Sequence, residues 1–214
     1  MATVAELNYL ATKTAYDTSS VPTVPSGWII IGDSQTLSTT PITAGDYHGL
    51  LVQNMDTREY VIVDRGTVPT QFGNIVADFG IAASTIGIQT RTSYEASAQA
   101  FAEVAAVEIQ RRFDGGVVPT GIYTTGHSLG YAGAQRQLET LDNLGSNGDY
   151  SALVGISIKA VGFHGAGVAQ SDFSTGSYGD RAINFTVPGD GVDNFGKQLG
   201  EKVQLDGAGN GYFW

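Results

Sequence analysis

The sequence contains no cysteine among its 214 residues, which excludes disulfide bonds, thiolate metal sites and a cysteine nucleophile. Basic residues are few: 11 Lys and Arg stand against 21 Asp and Glu, for a net charge of −10. Nucleic acids and anionic membrane surfaces require a basic footprint, so this balance argues against both as partners. The simplest role of the acidity is solubility.

Long apolar runs are also absent. No stretch approaches the ~18 residues that a transmembrane helix needs. Residues 1–6 lack the basic and then apolar plan of a signal peptide. We expect an extracellular location, with a cytoplasmic one as the alternative. Histidine is scarce as well, so a histidine-dependent reaction has only three candidate side chains, His48, His127 and His164.

Glycine, by contrast, is abundant, with 29 residues, and two of them frame a serine in segment 126–130, Gly-His-Ser-Leu-Gly. The pattern predicts a short buried strand over 120–125 and a helix over 129–144. A serine placed in this way between a strand and a helix has the nucleophile-elbow pattern. Side chains at the two glycine positions would collide with the neighbouring strand and helix. We expect the Ser128 hydroxyl to stand exposed at the carboxyl end of the sheet.

The bare glycine–serine–glycine pattern is weak evidence in a glycine-rich chain. The composition alone gives about 0.3 chance occurrences, so the alternative is an ordinary serine in a glycine-rich turn. The flanking strand and helix are what favour the elbow.

Strands and helices alternate along the chain. Strands are predicted at 28–31, 49–54, 59–63, 120–125, 154–163, 182–187 and 200–205, and helices at 4–16, 93–113 and 129–144. The strands at 49–54 and 59–63 are predicted to form an antiparallel pair. This order favours the α/β class, with a mostly parallel central sheet, helices on both faces, and one domain over residues 1–214.

Four motifs occur in a fixed order along the chain. They are 61–67 (Val-Ile-Val-Asp-Arg-Gly-Thr), 125–130 (Thr-Gly-His-Ser-Leu-Gly), 161–167 (Val-Gly-Phe-His-Gly-Ala-Gly) and 184–192 (Asn-Phe-Thr-Val-Pro-Gly-Asp-Gly-Val). Together they resemble the class 3 lipase-like branch of the α/β-hydrolases, including bacterial lipase-like domains. The resemblance covers about residues 1–205. It implies an α/β-hydrolase-like fold and a serine hydrolase of carboxylic esters, acyl lipids above all, with no cofactor and no metal.

The resemblance also implies roles for individual residues. Ser128 would be the nucleophile, and the backbone N–H of Leu129 would form one half of an oxyanion hole. Thr67 would supply the other half from the Arg-Gly-Thr turn, unless it is a plain turn residue. Asp190 would orient the base, with Asp193 as the alternative.

The base is the departure from the family pattern, because resembling proteins carry a histidine after the acid and no histidine follows Asp190 here. His164 follows a strand and should lie at the same sheet edge as Ser128, as base or as pocket lining. His127 is expected to be a packing residue and His48 a surface residue. The chain is a piece truncated before its histidine, or His164 substitutes, or the site is inactive.

Other features leave alternatives open. Tyr131 stands where the family has a second glycine, and would narrow the oxyanion pocket or face outward along the helix. The apolar segment 79–88 is a candidate flap or a buried helix. Segments 189–193 and 206–211 faintly resemble calcium turns but lack the repeat of calcium-binding β-rolls. The rival to a hydrolase is a binding or structural module that keeps the scaffold without its base.

Overall fold

The computed structural model describes residues 1–66, 85–169, 178–189 and 192–205. Seven strands of these residues form one sheet, in chain order from β1 to β7. Their bounds are Trp28–Asp33, Gly49–Asn54, Tyr60–Asp64, Ile122–His127, Ile158–Phe163, Gly179–Thr186 and Gly200–Gln204. The pairs β1–β2 and β2–β3 are antiparallel, and all pairs from β3 to β7 are parallel. The predicted mostly parallel sheet is confirmed, and so is the antiparallel pair.

Helices cover the sheet on both faces, as predicted. They are α1 (Val4–Thr12), α2 (Thr85–Asp114) and α3 (Leu129–Asn147). Apolar residues of α1 belong to one buried cluster, and those of α2 and α3 belong to another. Within the described part of the chain, no helix is long and apolar enough to cross a bilayer.

β3 is apolar along its whole length because helices cover both faces of the sheet at this strand. Tyr60 and Ile62 pack in the cluster with α2 and α3, whereas Val61 and Val63 pack in the cluster with α1. Successive side chains of a strand point to opposite faces, so a strand buried on both sides has no polar alternation. All of these residues are fully buried.

Some predicted bounds were wrong. The predicted helix over 4–16 ends at Thr12, and a 3₁₀ turn, Thr14–Tyr16, continues the chain. β5 begins four residues later than predicted, because Gly155 with φ 71° lies in a turn that precedes it. α2 begins at Thr85, eight residues earlier than predicted, so the end of the candidate flap segment 79–88 is helical. Its first part, 79–84, lies outside the described residues.

A fully buried carboxyl group lies at the end of β3. Asp64 Oδ1 accepts hydrogen bonds from Tyr47 Oη at 2.7 Å and from Gln137 Nε2 at 2.8 Å. Its second oxygen has no partner among the described residues. Burial raises the pKa of Asp64 to about 8, although both hydrogen bonds oppose the rise. The group therefore holds its proton in the folded protein at neutral pH.

This buried acid predicts a pH-dependent stability. The full contribution of Asp64 to the free energy of unfolding is present below about pH 4, where its carboxyl group is protonated in both the folded and the unfolded chain. Between about pH 4 and pH 8 the unfolded Asp64 ionises while the folded one keeps its proton, so the free energy of unfolding falls by up to ~1.4 kcal/mol per pH unit. Asp64→Asn should remove this component. Denaturant titrations of both proteins at pH 5 and pH 8 measure it, and equal pH dependence in the two would contradict the assignment.

Candidate active site

The backbone takes an unusual conformation at Ser128, between the end of β4 and the start of α3. Its φ of 55° and ψ of −126° lie outside the helical and extended regions. Such a conformation costs a non-glycine residue about 1–3 kcal/mol and persists only where surrounding structure enforces it. Here the Ser128 N–H donates to the Phe163 carbonyl at 3.2 Å. The Ser128 carbonyl accepts from the Ala166 and Tyr131 N–H groups, at 3.1 and 3.2 Å.

The two glycines of the elbow are required by contact. A Cβ on Gly126 would overlap the Gly130 backbone and approach the Tyr131 nitrogen to 2.7 Å. A Cβ on Gly130 would overlap the Asp64 carbonyl and lie 3.1 Å from the Gly66 nitrogen. The first glycine therefore lets the helix turn back over β4, and the second lets it approach the end of β3. This is the collision that the sequence predicted.

The exposure predicted for Ser128 is wrong. The residue is only 3% exposed. Its flanks are covered on one side by the turn after β3, which contacts Gly130, and on the other by the loop after β5, which hydrogen-bonds to its backbone. The side chain makes no capping hydrogen bond to α3. The elbow thus holds a serine that does not cap its helix and is largely buried.

The structure brings all three histidines of the chain to one edge of the sheet. His127 ends β4, and its ring centroid lies 6.1 Å from that of His164, which follows β5. His164 has a φ of 52°, and its N–H donates to the Phe185 carbonyl at 2.9 Å. His164 therefore lies at the edge where Ser128 lies, as the sequence predicted.

The third histidine was not expected there. His48 precedes β2, and its carbonyl accepts from the Arg65 N–H at 3.0 Å, which places it beside the turn after β3. It is half-buried rather than a surface residue, and its Nδ1 has no partner among the described residues. Burial lowers its pKa, and the Arg65 charge lowers it further. The antiparallel pairing of β2 with β3, which the sequence predicted, carries His48 to this edge.

The predicted acid and oxyanion residues are only partly described. Thr67 and Asp190 lie outside the described residues, so their roles stay predictions. Leu129 is the first residue of α3 and is buried, so its N–H lies at the helix N-terminus as predicted. The alternative acid, Asp193, forms an ion pair with Lys202 in which Oδ2 and Nζ are 3.3 Å apart.

One of the two alternatives for Tyr131, a narrowed oxyanion pocket, stays a prediction, and the other is wrong because the ring does not face outward along α3. The ring is fully buried, and a Cβ on either Gly162 or Gly165 would overlap it. The ring lies against β5 and the loop that follows, rather than facing outward along α3. Two glycines on the neighbouring segment therefore make room for the aromatic side chain beside the elbow.

Buried amide side chains fix the loop that carries His164, and sequence reasoning missed them. Asn184 binds both sides of Gly165, accepting from its N–H at 3.0 Å and donating to its carbonyl at 2.8 Å. Gln198 donates to the same carbonyl at 3.1 Å. Gln135 donates to the Ala166 carbonyl at 3.2 Å. A lone Asn within the apolar strand 182–187 was the available signal.

No three side chains of His, Asp or Glu in the described residues are grouped to hold a metal ion. Asp190 and residues 206–211 of the calcium-like turns lie outside that part of the chain. A calcium site there stays a hypothesis.

This geometry can be compared with solved structures. The Lip2 lipase from Yarrowia lipolytica is 15% identical and has a TM-score of 0.56, over 94% of this chain and 77% of that one. The nonglycosylated form of that lipase is 17% identical and has a TM-score of 0.52, over 93% and 77% of the two chains. No protein-family model and no curated protein matches the sequence.

The chain has an α/β-hydrolase fold. Three observations support this fold: the order of the strands in the sheet, the helices on both faces and the likeness to the Yarrowia lipase structures. The predicted fold class is therefore confirmed. At these identities the likeness concerns the fold. Membership of the class 3 branch, and of its bacterial domains, stays a prediction.

The elbow packing predicts a large effect of one methyl group. Gly126→Ala should lower the free energy of unfolding by about 3 kcal/mol, because the new Cβ overlaps backbone that cannot move aside. Gly121→Ala, just before the same strand, is the matched control, since its Cβ would approach no atom closer than 3.8 Å. Denaturant unfolding measures both, and similar losses in the two variants would contradict the steric account.

Proposed function

We propose that this chain, residues 1–214 as one domain, is a serine hydrolase of carboxylic esters, with acyl lipids as the substrate class. The observation that carries the proposal is the enforced backbone of Ser128 between two obligatory glycines. Strain of this kind is concentrated at functional sites, where it presents a side chain that an ordinary turn could not. The α/β-hydrolase fold and its likeness to the Yarrowia lipase structures support the choice of esters. An extracellular location, with a cytoplasmic alternative, belongs to the same proposal.

The proposed reaction passes through an acyl-serine intermediate. Ser128 Oγ attacks the ester carbonyl carbon while its proton passes to a histidine. The carbonyl oxygen becomes negative and is stabilised by the Leu129 N–H at the start of α3 and by a donor at Thr67. The alcohol leaves with the proton from the histidine, and water then releases the acid from the acyl-serine by the same steps in reverse. Asp190 would orient the histidine.

His164 is the proposed base. It is the residue after Phe163, whose carbonyl accepts the Ser128 N–H, so its backbone is fixed relative to the nucleophile. Asn184 fixes the next residue of the same loop. Because Ser128 is 3% exposed, an ester reaches it only when neighbouring residues move aside.

A second candidate is a catalytically impaired module that binds or supports rather than hydrolyses. The observation that favours it is the burial of Ser128. The two candidates differ in whether Ser128 reacts.

The first test is covalent labelling with a fluorophosphonate probe. The protein should be labelled at one serine, and Ser128→Ala should abolish the labelling, because the phosphorus takes the place of the ester carbonyl. Ser157→Ala is the control, since Ser157 is exposed just before β5 at the opposite edge of the sheet. Hydrolysis of p-nitrophenyl butyrate and p-nitrophenyl laurate, followed in parallel, tests the acyl preference. Absence of both labelling and turnover would support the non-catalytic module.

The second test separates the candidate bases. His164→Asn should slow labelling and ester turnover by at least 10²-fold, the usual worth of general base catalysis. His48→Asn should change either rate by less than about threefold, because we assign that residue no proton transfer. The reverse order would transfer the role to His48. Full rates in both variants would mean that neither residue is the base.

A further inference from the structure

The loop after β5 is bound to both hydrogen-bonding groups of the Ser128 backbone. The Phe163 carbonyl accepts from the Ser128 N–H at 3.2 Å, and the Ala166 N–H donates to the Ser128 carbonyl at 3.1 Å. The two residues between these bonds, His164 and Gly165, form a short bridge whose two ends are tied to the same serine. A shift of this bridge therefore acts on the candidate nucleophile and on the candidate base together.

The backbone is strained on both sides of this contact. Ser128 has a φ of 55° and His164 a φ of 52°, both in the positive range that favours glycine. Residues with side chains keep such a conformation only where the surrounding structure enforces it. Hydrogen bonds between the two strained segments do not suffice, because both segments could relax together. A third element must hold the bridge in place.

That element is β6. It pairs with β5 in parallel up to Phe163, which lies opposite Phe185, and it continues to bind the chain beyond the end of β5. The His164 N–H donates to the Phe185 carbonyl at 2.9 Å. The side chain of Asn184 accepts from the Gly165 N–H at 3.0 Å and donates to the Gly165 carbonyl at 2.8 Å. Two consecutive residues of β6 therefore hold the two residues of the bridge.

The Asn184 side chain fixes two peptide groups at once. The Gly165 N–H belongs to the peptide that follows His164, and the Gly165 carbonyl belongs to the next peptide along the chain. Gln198 also donates to that carbonyl, at 3.1 Å. On the side of α3 the bridge is closed, because a Cβ on Gly165 would overlap Tyr131. Asn184 is itself fully buried, so its amide is held within the core.

We propose that Asn184 is a positioning residue that keeps His164 and Ser128 aligned for proton transfer, by fixing the two peptide groups on either side of Gly165. This inference rests on the proposed ester hydrolysis at Ser128. Catalytic groups lose much of their effect when they are displaced by a fraction of the length of a hydrogen bond, even if the displacement begins at a distant residue. Asn184 would thus act on the reaction through the backbone of the bridge.

The first test compares Asn184→Ala with Thr125→Val. With p-nitrophenyl butyrate, Asn184→Ala should lose about tenfold or more in kcat with KM changed by less than about threefold, because proton transfer is misaligned while the substrate pocket is kept. Thr125 is the matched control, since it is fully buried and its Oγ1 donates to the Val161 carbonyl of β5 at 2.7 Å, outside the bridge. Its kcat should change by less than about twofold. Equal losses of kcat in the two variants would overturn the positioning role.

A milder variant covers the case in which Asn184→Ala does not fold. Asn184→Asp still accepts from the Gly165 N–H, and Gln198 still donates to the Gly165 carbonyl. Its kcat should therefore fall by about fivefold, less than in Asn184→Ala but more than in Thr125→Val. A kcat equal to that of the parent protein would contradict the proposal.

A second measurement does not depend on turnover. The one-bond Cα–Hα coupling of His164, measured by NMR, differs between positive and negative φ. It should change in Asn184→Ala and stay unchanged in Thr125→Val. An unchanged coupling in Asn184→Ala would overturn the positioning role whether or not the protein is an enzyme.

The two measurements together separate this inference from the proposed function. A changed coupling with unaltered kcat would overturn the catalytic part alone. If the parent protein neither labels at Ser128 nor turns over ester, the proposed function fails and the catalytic part with it. The coupling of His164 still decides in that case whether Asn184 holds the bridge.

Discussion

The close approach of two backbones at the elbow is the constraint on which this site depends. Gly126 lies against the first turn of α3, and Gly130 lies against the end of β3. Between them Ser128 is held at a φ of 55° by hydrogen bonds to the loop after β5. The helix could not begin where it does with a side chain at either glycine, and the serine would then lose the position on which the proposed chemistry relies.

Buried polar groups stabilise the segments on either side of the elbow. On one side, Asn184 satisfies both hydrogen-bonding groups of Gly165. On the other, the Tyr94 hydroxyl donates to the Arg65 carbonyl. Polar groups at full burial are costly unless they are paired, so networks of this kind specify one arrangement of the loops they bind. Both loops are thus fixed from within the core rather than from the surface.

The histidines show how one sheet edge collects residues that are far apart in the chain. His127 and His164 end neighbouring parallel strands, so their arrival at one edge follows from the parallel pairing. His48 reaches the same edge because β2 runs against β3 and starts where β3 ends. Three imidazoles that are far apart in the chain therefore lie at the sheet edge that carries the elbow. The fold therefore places more than one candidate general base near Ser128 in the proposed hydrolase.

Much of this arrangement could be predicted from the residues alone. The α/β class follows from the continuous apolar strands and from the helical spacing in α2 and α3. The position of Ser128 between β4 and α3 follows from the two glycines that frame it. Both could be predicted because periodicity and steric size are local properties of the sequence. The burial of Ser128, the ring of Tyr131 against Gly162 and Gly165, and the place of His48 depended on which segments pack together. The hydrogen bond from Tyr94 to the Arg65 carbonyl is of the same kind, because the two residues lie far apart in the sequence. Only the tertiary structure decided these features, since contacts between distant segments leave no periodic signal in the sequence.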